Sequence, residues 1–176
     1  MFVQEGKGVI LVTSGYEKLL RHIKGSQKTV FILKLYGYLA TVMCVLVFIY
    51  LFLAFYEISI AALVGLLVTL GVPFLSVSLV RRLIDSPRPY EIYDIYDIPP
   101  KKKKGSSFPS RHAFSIFAIG TLCLFVHPLI GAATLVLGII MCVSRVLLGI
   151  HFIRDVVAGA LIGVISSLIG AFILIY

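Results

Sequence analysis

Long apolar stretches dominate the chain, and the longest have the length of a membrane span. Residues 35–56 and 58–80 contain no charged side chain. Each is longer than the roughly 20 apolar residues that cross a hydrocarbon core of about 30 Å as a helix. Further apolar stretches follow His112 and continue on both sides of His127-Pro128. The pattern predicts five spanning helices, at about 31–56, 58–80, 109–127, 129–148 and 152–176.

The chain is therefore predicted to be an all-α integral membrane protein that forms one domain over residues 1–176. Residues 81–108 interrupt the apolar pattern and are predicted to form a polar loop. Composition agrees, because 60% of the 176 residues are hydrophobic and the mean hydropathy of +1.06 is far above that of a soluble domain. The cysteines have neither a disulfide pattern nor metal-ligand spacing, so packing roles are predicted for Cys44, Cys123 and Cys142.

A short segment before the first span has a different pattern. Ser14 and Glu17 have the spacing of a capping box, which marks the start of a helix. Apolar residues follow with helical spacing, at Tyr16, Leu19, Leu20 and Ile23. Residues 14–25 are thus predicted to form an amphipathic helix that lies in the membrane interface. The alternative is that this helix packs against the protein's own spans.

The chain carries a formal net charge of +8, with 16 Lys and Arg against 8 Asp and Glu. In a soluble protein such an excess would favour nucleic acid. Among apolar spans it favours anionic lipid headgroups as partners and no nucleic acid. The run Lys101 to Lys104 is one predicted contact, since a basic residue near an anionic membrane surface contributes about 1 kcal/mol. No feature of the sequence identifies a protein partner.

Three polar clusters interrupt the apolar chain, and each flanks the end of a predicted span. The first follows the second span and reads Arg81-x6-Arg88-Pro89. The second opens the third span and reads Pro109-Ser110-Arg111-His112. The third lies between the fourth and fifth spans and reads Ser144-Arg145-x5-His151-x3-Asp155. Because successive spans alternate in direction, all three clusters are predicted to meet on one face of the membrane.

The residue types in these clusters suit phosphate chemistry. The arginines offer planar forks that match phosphate oxygens. Ser110 is a natural N-cap, and the helix N-terminus that it opens is an anion site. No carboxylate cluster or Cys/His set offers a metal site, so no metal or other cofactor is predicted and the positive charge must come from the arginines.

Two histidines provide a nucleophile and an acid. His151 and Asp155 are four residues apart and share a helix face. The carboxylate can therefore fix the imidazole tautomer and leave the other nitrogen free to attack. A second imidazole, that of His112, sits in the first turn of the third span. This pairing predicts that one imidazole attacks phosphorus while the other protonates the leaving oxygen.

The clusters resemble the three signatures of the type 2 phosphatidic acid phosphatase superfamily of membrane lipid phosphatases. Those signatures are Lys-x6-Arg-Pro, Pro-Ser-Gly-His and Ser-Arg-x5-His-x3-Asp, and the third matches in full. The resemblance implies that His151 is the nucleophile that forms a phosphohistidine, that Asp155 orients it and that His112 is the general acid. It further implies that phosphate is bound by Arg81, Arg88, Ser110, Arg145 and the backbone amide of Arg111.

Two residues and one helix depart from the family pattern. Arg81 stands where the family has Lys, which keeps the charge but replaces a point charge with a planar fork. Arg111 stands where the family has Gly. Its N–H still donates, and its side chain must point out of the pocket or contact the substrate. The family core usually has six spans, whereas five are predicted here.

The resemblance implies a metal-independent hydrolase of lipid phosphate monoesters or pyrophosphates. Candidate substrates are phosphatidylglycerol phosphate, phosphatidic acid and a polyprenyl pyrophosphate such as undecaprenyl pyrophosphate. The alternative is a non-catalytic protein that binds or transports lipid phosphates. A vanadate haloperoxidase-like enzyme is a further alternative, but those enzymes are soluble and the spans argue against it.

The distribution of basic residues predicts which side of the membrane the site faces. With five spans, every Lys and Arg falls on the face of the site, while the opposite face holds Glu57 and His127. The positive-inside rule predicts that the site of this multi-pass protein faces the cytoplasm from the cell membrane. Family members are often drawn with the site facing outward, which is the alternative. A cytoplasmic site would favour phosphatidylglycerol phosphate, and an outward site would favour recycling of a polyprenyl pyrophosphate.

Overall fold

The structure is a computed structural model that describes residues 2–5, 8–11, 14–93, 95 and 104–175, with side chains described from Gly15 to Leu174. Most of Lys101 to Lys104 and the side chain of Ser14 lie outside the described residues. Two strands pair as an antiparallel hairpin ahead of the helices. The elements are β1 Phe2–Glu5, β2 Gly8–Leu11, α1 Ser14–Gly25, α2 Gln27–Ile58, α3 Ile60–Ile84, α4 Pro89–Ile92, α5 Arg111–Val126, α6 Pro128–Leu147 and α7 Ile153–Ile175.

Polar caps set the turns at the end of the bundle away from the polar clusters. Ser59 separates α2 from α3, and its Oγ accepts the backbone N–H of Ala62 at 3.0 Å. His127 separates α5 from α6, and its Nδ1 accepts the backbone N–H of Ile130 at 3.4 Å. Pro128 follows as the first residue of α6, where its missing N–H has no helical partner to lose. Each cap therefore satisfies one of the backbone donors that the start of a helix leaves without a partner.

The predicted all-α membrane fold is confirmed, and the hairpin of β1 and β2 is an addition that the sequence did not predict. Four segments among the described residues are long and apolar enough to cross a membrane. They are α2, the segment Ile60–Ile92 that begins with α3, and the two helices α6 and α7. α5 is apolar but has only 16 residues. Its first turn, which contains Arg111 and His112, belongs to the polar end of the bundle. That α5 also crosses the membrane stays a prediction.

The outside of the bundle is apolar, as a lipid environment requires. Ile58, Leu75 and Ile173 expose 71%, 67% and 70% of their surface. A soluble monomer rarely exposes contiguous apolar patches of this kind, whereas lipid chains cover them without cost. The chain is accordingly a multi-pass membrane protein.

α5 is the central helix and packs closely on α7. Small residues of α7 make this possible: a Cβ added at Gly159 would collide with the carbonyl oxygen of Ser110, and one at Gly163 with that of Phe114. Interfaces of small residues let helix backbones approach in membranes. The close approach also positions the site, because the backbone N–H of Ser110 donates to the carbonyl of Asp155 at 2.9 Å.

α1 is amphipathic, as predicted, and part of its apolar face contacts the protein itself. Leu20 and Ile23 are buried, and Leu20 belongs to a small core with Tyr90 and Phe152. The hydroxyl of Tyr16 donates to the carbonyl of Val146 at 2.7 Å. Leu19, by contrast, remains 43% exposed. The alternative of packing on the protein thus holds for Leu20 and Ile23, and contact of the exposed side with the membrane interface stays a prediction.

Candidate active site

The three polar clusters meet at one end of the bundle. They lie at the last turn of α3, at the start of α4, at the start of α5, at the last turn of α6 and in the turn before α7. The charges of Arg145, Arg111 and Arg81 all act on His112, which places the clusters within electrostatic reach of one another. The predicted convergence therefore follows from helices that alternate in direction.

His151 lies in the turn between α6 and α7 and is buried, with 2% of its surface exposed. Its Nδ1 is 3.3 Å from the hydroxyl of Ser107 and 3.6 Å from Oδ2 of Asp155. The second distance is too long for a hydrogen bond. The Ser107 hydroxyl instead donates to the same carboxylate oxygen at 2.5 Å. Ser107 thus links the imidazole to the carboxylate, and Nε2 is free of hydrogen bonds to the described residues.

The carboxylate of Asp155 is buried, and hydrogen bonds hold its Oδ2. Oδ2 also accepts the backbone N–H of Phe152 at 3.0 Å. Oδ1 lies 3.5 Å from Nε of Arg154, whose Nη2 donates to Ser86 Oγ at 3.1 Å. An ionised carboxylate is therefore fixed beside His151, which suits a group that selects one imidazole tautomer.

The environment of His151 favours its neutral form. Burial lowers the pKa of His151 below its ordinary range because the charged imidazolium loses water. The nearby charges of Arg88 and Arg81 lower this pKa further, while the link to Asp155 opposes them. A neutral imidazole with a free Nε2 is the form that can act as a nucleophile.

Arg81 and Arg88 are buried and hold the backbone of the loop that leads into α5. Arg81 Nη1 donates to the carbonyls of Ser107 and Pro109, at 3.3 and 3.0 Å. Arg88 Nε donates to the carbonyl of Gly105 at 3.1 Å. Each guanidinium has five N–H donors, so these bonds leave others free for an anion. Both arginines are therefore structural supports of the loop as well as predicted phosphate ligands.

Arg145 contributes a third guanidinium to the site. Its Nε is buried and has no hydrogen-bond partner among the described residues. The guanidinium lies beside α2, where a Cβ added at Gly37 would sit 3.7 Å from Nη2. A buried donor without a partner is costly, and an anion would satisfy it.

Ser110 caps α5, with its Oγ accepting the backbone N–H of Ala113 at 3.4 Å. The residues that follow it, Arg111 and His112, line a cavity of about 460 Å³ between α2, α3, α5 and α6. His112 is exposed to this cavity, whereas Ser110 is fully buried. Arg111 and His112 of the second cluster thus border an open, largely apolar space that the buried His151 does not line.

No group of three or more His, Cys, Asp or Glu that could hold a metal ion occurs within the described part of the chain. The positive charge at the site comes from arginine side chains. Arginine forks that converge on one point can bind a tetrahedral anion and stabilise charge that develops on it.

A family model described as the PAP2 superfamily matches residues 60–174. This range includes all three polar clusters and more than half of the chain. The chain belongs to the PAP2 superfamily. Members of this superfamily are lipid phosphatases, which are phosphoric ester hydrolases.

One curated relative of this PAP2 protein is the bacitracin transport permease protein BcrC of Bacillus licheniformis. The two are 44% identical over 63 residues, which is 36% of this chain and 31% of BcrC. The match therefore spans about a third of that relative's length.

Two solved structures share the fold of this PAP2 protein. One is the first transmembrane PAP2-type phosphatidylglycerolphosphate phosphatase from Bacillus subtilis, with a TM-score of 0.65, 20% identity and coverage of 91% of this chain and 84% of the other. The second is LpxE from Aquifex aeolicus, with a TM-score of 0.62, 24% identity and coverage of 87% of this chain and 92% of the other. At such identities the likeness establishes the fold alone.

The structure adds two residues of this PAP2 protein that the sequence patterns did not single out. Ser107 contacts both His151 and Asp155, yet it lies 44 and 48 residues away from them along the chain. No spacing rule reaches across such a separation. Arg154 was open to prediction, since it is a charged residue directly before Asp155 at the start of a span. The roles of the eight predicted site residues remain predictions.

Replacing Ser107 with alanine in this PAP2 protein should lower kcat and leave KM nearly unchanged. The expected loss is about 10- to 100-fold, the rate equivalent of the 1.5–3 kcal/mol that a hydrogen bond to a charged group contributes. Ser107→Thr keeps the hydroxyl and should recover most of the rate. Ser106→Ala is the matched control, because the neighbouring hydroxyl bonds Asp85 instead. Equal kcat values for Ser107→Ala and Ser106→Ala would contradict the linking role.

Proposed function

We propose that this chain is a lipid phosphatase that removes a phosphoryl group through a phosphohistidine on His151. The observation that carries the proposal is the buried His151, tied through Ser107 to Asp155 and close enough to Arg88 and Arg81 for their charges to act on it. Such an imidazole is neutral, oriented and near positive charge. These are the properties of a nucleophile that attacks an anionic phosphate.

The first step forms one bond and breaks another. Nε2 of His151 donates its lone pair to phosphorus, and the bond from phosphorus to the lipid oxygen breaks. His112 gives a proton to that oxygen as it leaves. In the second step water attacks phosphorus, the P–N bond breaks, its electron pair returns to Nε2, and His112 takes the proton of the water. Inorganic phosphate is released and both histidines regain their starting states.

A lipid is the substrate class that best suits the position of the site. The polar clusters lie at the ends of apolar helices, and the cavity beside His112 is lined by apolar side chains such as Val45, Phe48 and Ile119. A headgroup phosphate can reach the arginines while its chains stay among the helices. The substrate in the name of the Bacillus subtilis structure, phosphatidylglycerolphosphate, is of this class, and so are phosphatidic acid and polyprenyl pyrophosphates.

The direct test measures inorganic phosphate released by the purified protein from phosphatidylglycerol phosphate, phosphatidic acid and a polyprenyl pyrophosphate in mixed micelles. Glycerol 3-phosphate serves as the water-soluble control. Release from at least one lipid, undiminished by EDTA and much faster than from the control, is expected. Release from none of the lipids would reject the proposal. It would favour transport without hydrolysis, which the name of BcrC as a transport permease brings forward.

We also propose that the site faces the cytoplasm from the cell membrane and that basic residues beside it contact anionic lipid headgroups. Lys18, Lys24 and Lys28 lie near the same end of the bundle as the site, and Glu57 lies near the other. Excess Lys and Arg is typical of cytoplasmic faces. In intact cells, a membrane-impermeant maleimide should label Glu57→Cys and not Gly25→Cys, each made in a cysteine-free background. The opposite pattern would put the site outside.

A further inference from the structure

The cavity beside His112 lies on one side of the site. Its lining includes Arg111 and His112 at one end, and Phe48, Phe74 and Met141 farther along. A second apolar cavity of about 380 Å³ shares Phe48 and Phe74 with it. The two cavities therefore run from Arg111 and His112 into the apolar part of the bundle, and His151 borders neither of them.

Among the described residues that line the nearer cavity, Arg111 is the one with a permanently charged side chain. Among the described residues, no carboxylate pairs with its guanidinium and no acceptor bonds it, in contrast to Arg154 and Arg21. Its charge acts on Arg81 and on His112. A partly buried guanidinium close to other cations is unfavourable without an anion. The position of Arg111 is therefore suited to a negative group that enters the cavity.

The order of residues indicates which part of a substrate that group belongs to. In the proposed mechanism His112 protonates the oxygen that leaves, so that oxygen lies beside His112. The cavity is the space that His112 lines and His151 does not, so the leaving group can extend into it. A leaving group thus places its first atoms beside Arg111 and its apolar chain farther along, toward Phe48 and Phe74.

We infer that Arg111 binds a second phosphate, the one that stays on the lipid, and that the site is adapted to lipid diphosphates over lipid monophosphates. This inference rests on the proposed lipid phosphatase function. Nε2 of His151 attacks the terminal phosphorus, and the bond from that phosphorus to the bridging oxygen breaks. The electron pair goes to the bridging oxygen, which receives the proton of His112. The lipid monophosphate that departs carries negative charge, and the Arg111 fork stabilises that charge as it develops.

The test compares kcat/KM for matched pairs that differ by one phosphate, namely farnesyl diphosphate with farnesyl monophosphate and diacylglycerol diphosphate with phosphatidic acid. In Arg111→Gln, kcat/KM for the diphosphate should fall by about 10- to 100-fold more than kcat/KM for the monophosphate of the same pair, as expected when a charged hydrogen bond is removed. Arg111→Lys keeps the charge without the fork, so its preference for the diphosphate should lie between those of Arg111→Gln and the unaltered protein. Arg82→Gln is the charge-matched control, because Arg82 is exposed at the same end of α3.

The two pairs separate recognition of the phosphate from recognition of the chain. The inference is supported if the ratio of kcat/KM for the diphosphate to kcat/KM for the monophosphate falls by a similar factor in both pairs. An unchanged ratio, an equal loss on both members of a pair, or the same change in Arg82→Gln would overturn it while phosphatase activity stands. Absence of release from all four lipids by the unaltered protein would overturn the proposed function and this inference with it.

Discussion

Replacing His151 with alanine should reduce phosphate release from every lipid by about 10³-fold or more, the scale seen when a catalytic nucleophile is removed. The imidazole is buried, held at Nδ1 and free at Nε2. The affinity for the lipid should change less than the rate of phosphate release, because the arginines that attract the phosphate remain.

The control for this variant is His22→Ala, which removes an exposed imidazole from α1 and should retain full activity. Rapid acid-free quenching with a ³²P-labelled lipid provides a second readout. The unaltered protein should carry label on histidine during turnover, and His151→Ala should carry none. Labelling that persists in His151→Ala would assign the nucleophile to another residue.

His151 should also set the acid limb of the pH profile of kcat/KM. Burial and the charges of Arg88 and Arg81 lower the pKa of His151, so the imidazole stays neutral to a lower pH than a free histidine. The acid limb of kcat/KM should therefore lie below about 6.5, the ordinary value for histidine. The rate falls as the pH decreases through that limb, because protonation removes the lone pair of Nε2. An acid limb above the ordinary value would show that the environment favours the imidazolium.

The gathering of the three clusters was predictable because it depends on features that a sequence displays. Apolar stretches identify the spans, and spans that alternate in direction bring every second helix end to one face. Arg81, Ser110 and Arg145 each stand beside such an end. The i, i+4 spacing of His151 and Asp155 places the pair side by side, but the structure separates Nδ1 and Oδ2 by 3.6 Å.

The contacts that the sequence did not reveal are those between distant segments. Ser107 is inserted between His151 and Asp155 because the loop before α5 folds over the start of α7. The hydrogen bonds of Arg81 to loop carbonyls depend on the same fold. Leu20 of α1 was expected at the membrane surface, and it is buried against Tyr90 and Phe152 instead. An amphipathic pattern identifies an apolar face but not the surface that covers it.

Replacing His112 with alanine should have an effect that depends on the leaving group. On a lipid phosphate, whose alkoxide is a poor leaving group, the expected loss is about 10²- to 10⁴-fold, the usual contribution of general acid catalysis. On 4-nitrophenyl phosphate the first step should be nearly as fast as in the unaltered protein, because nitrophenolate leaves without a proton. The second step should be slow on either substrate, because His112 also accepts the proton of the attacking water.

Stopped-flow measurement of nitrophenolate therefore separates the two roles of His112. His112→Ala should give a burst of about one nitrophenolate per enzyme followed by a slow steady rate, the sign of a covalent intermediate that accumulates. His127→Asn, at the other end of the bundle, should behave as the unaltered protein because asparagine preserves the cap of α6. A burst phase slowed as much as the reaction with the lipid would contradict an acid role and would assign His112 to phosphate binding instead. Since His112 borders the cavity and His151 does not, the expected burst would also place the leaving group on the cavity side of the site.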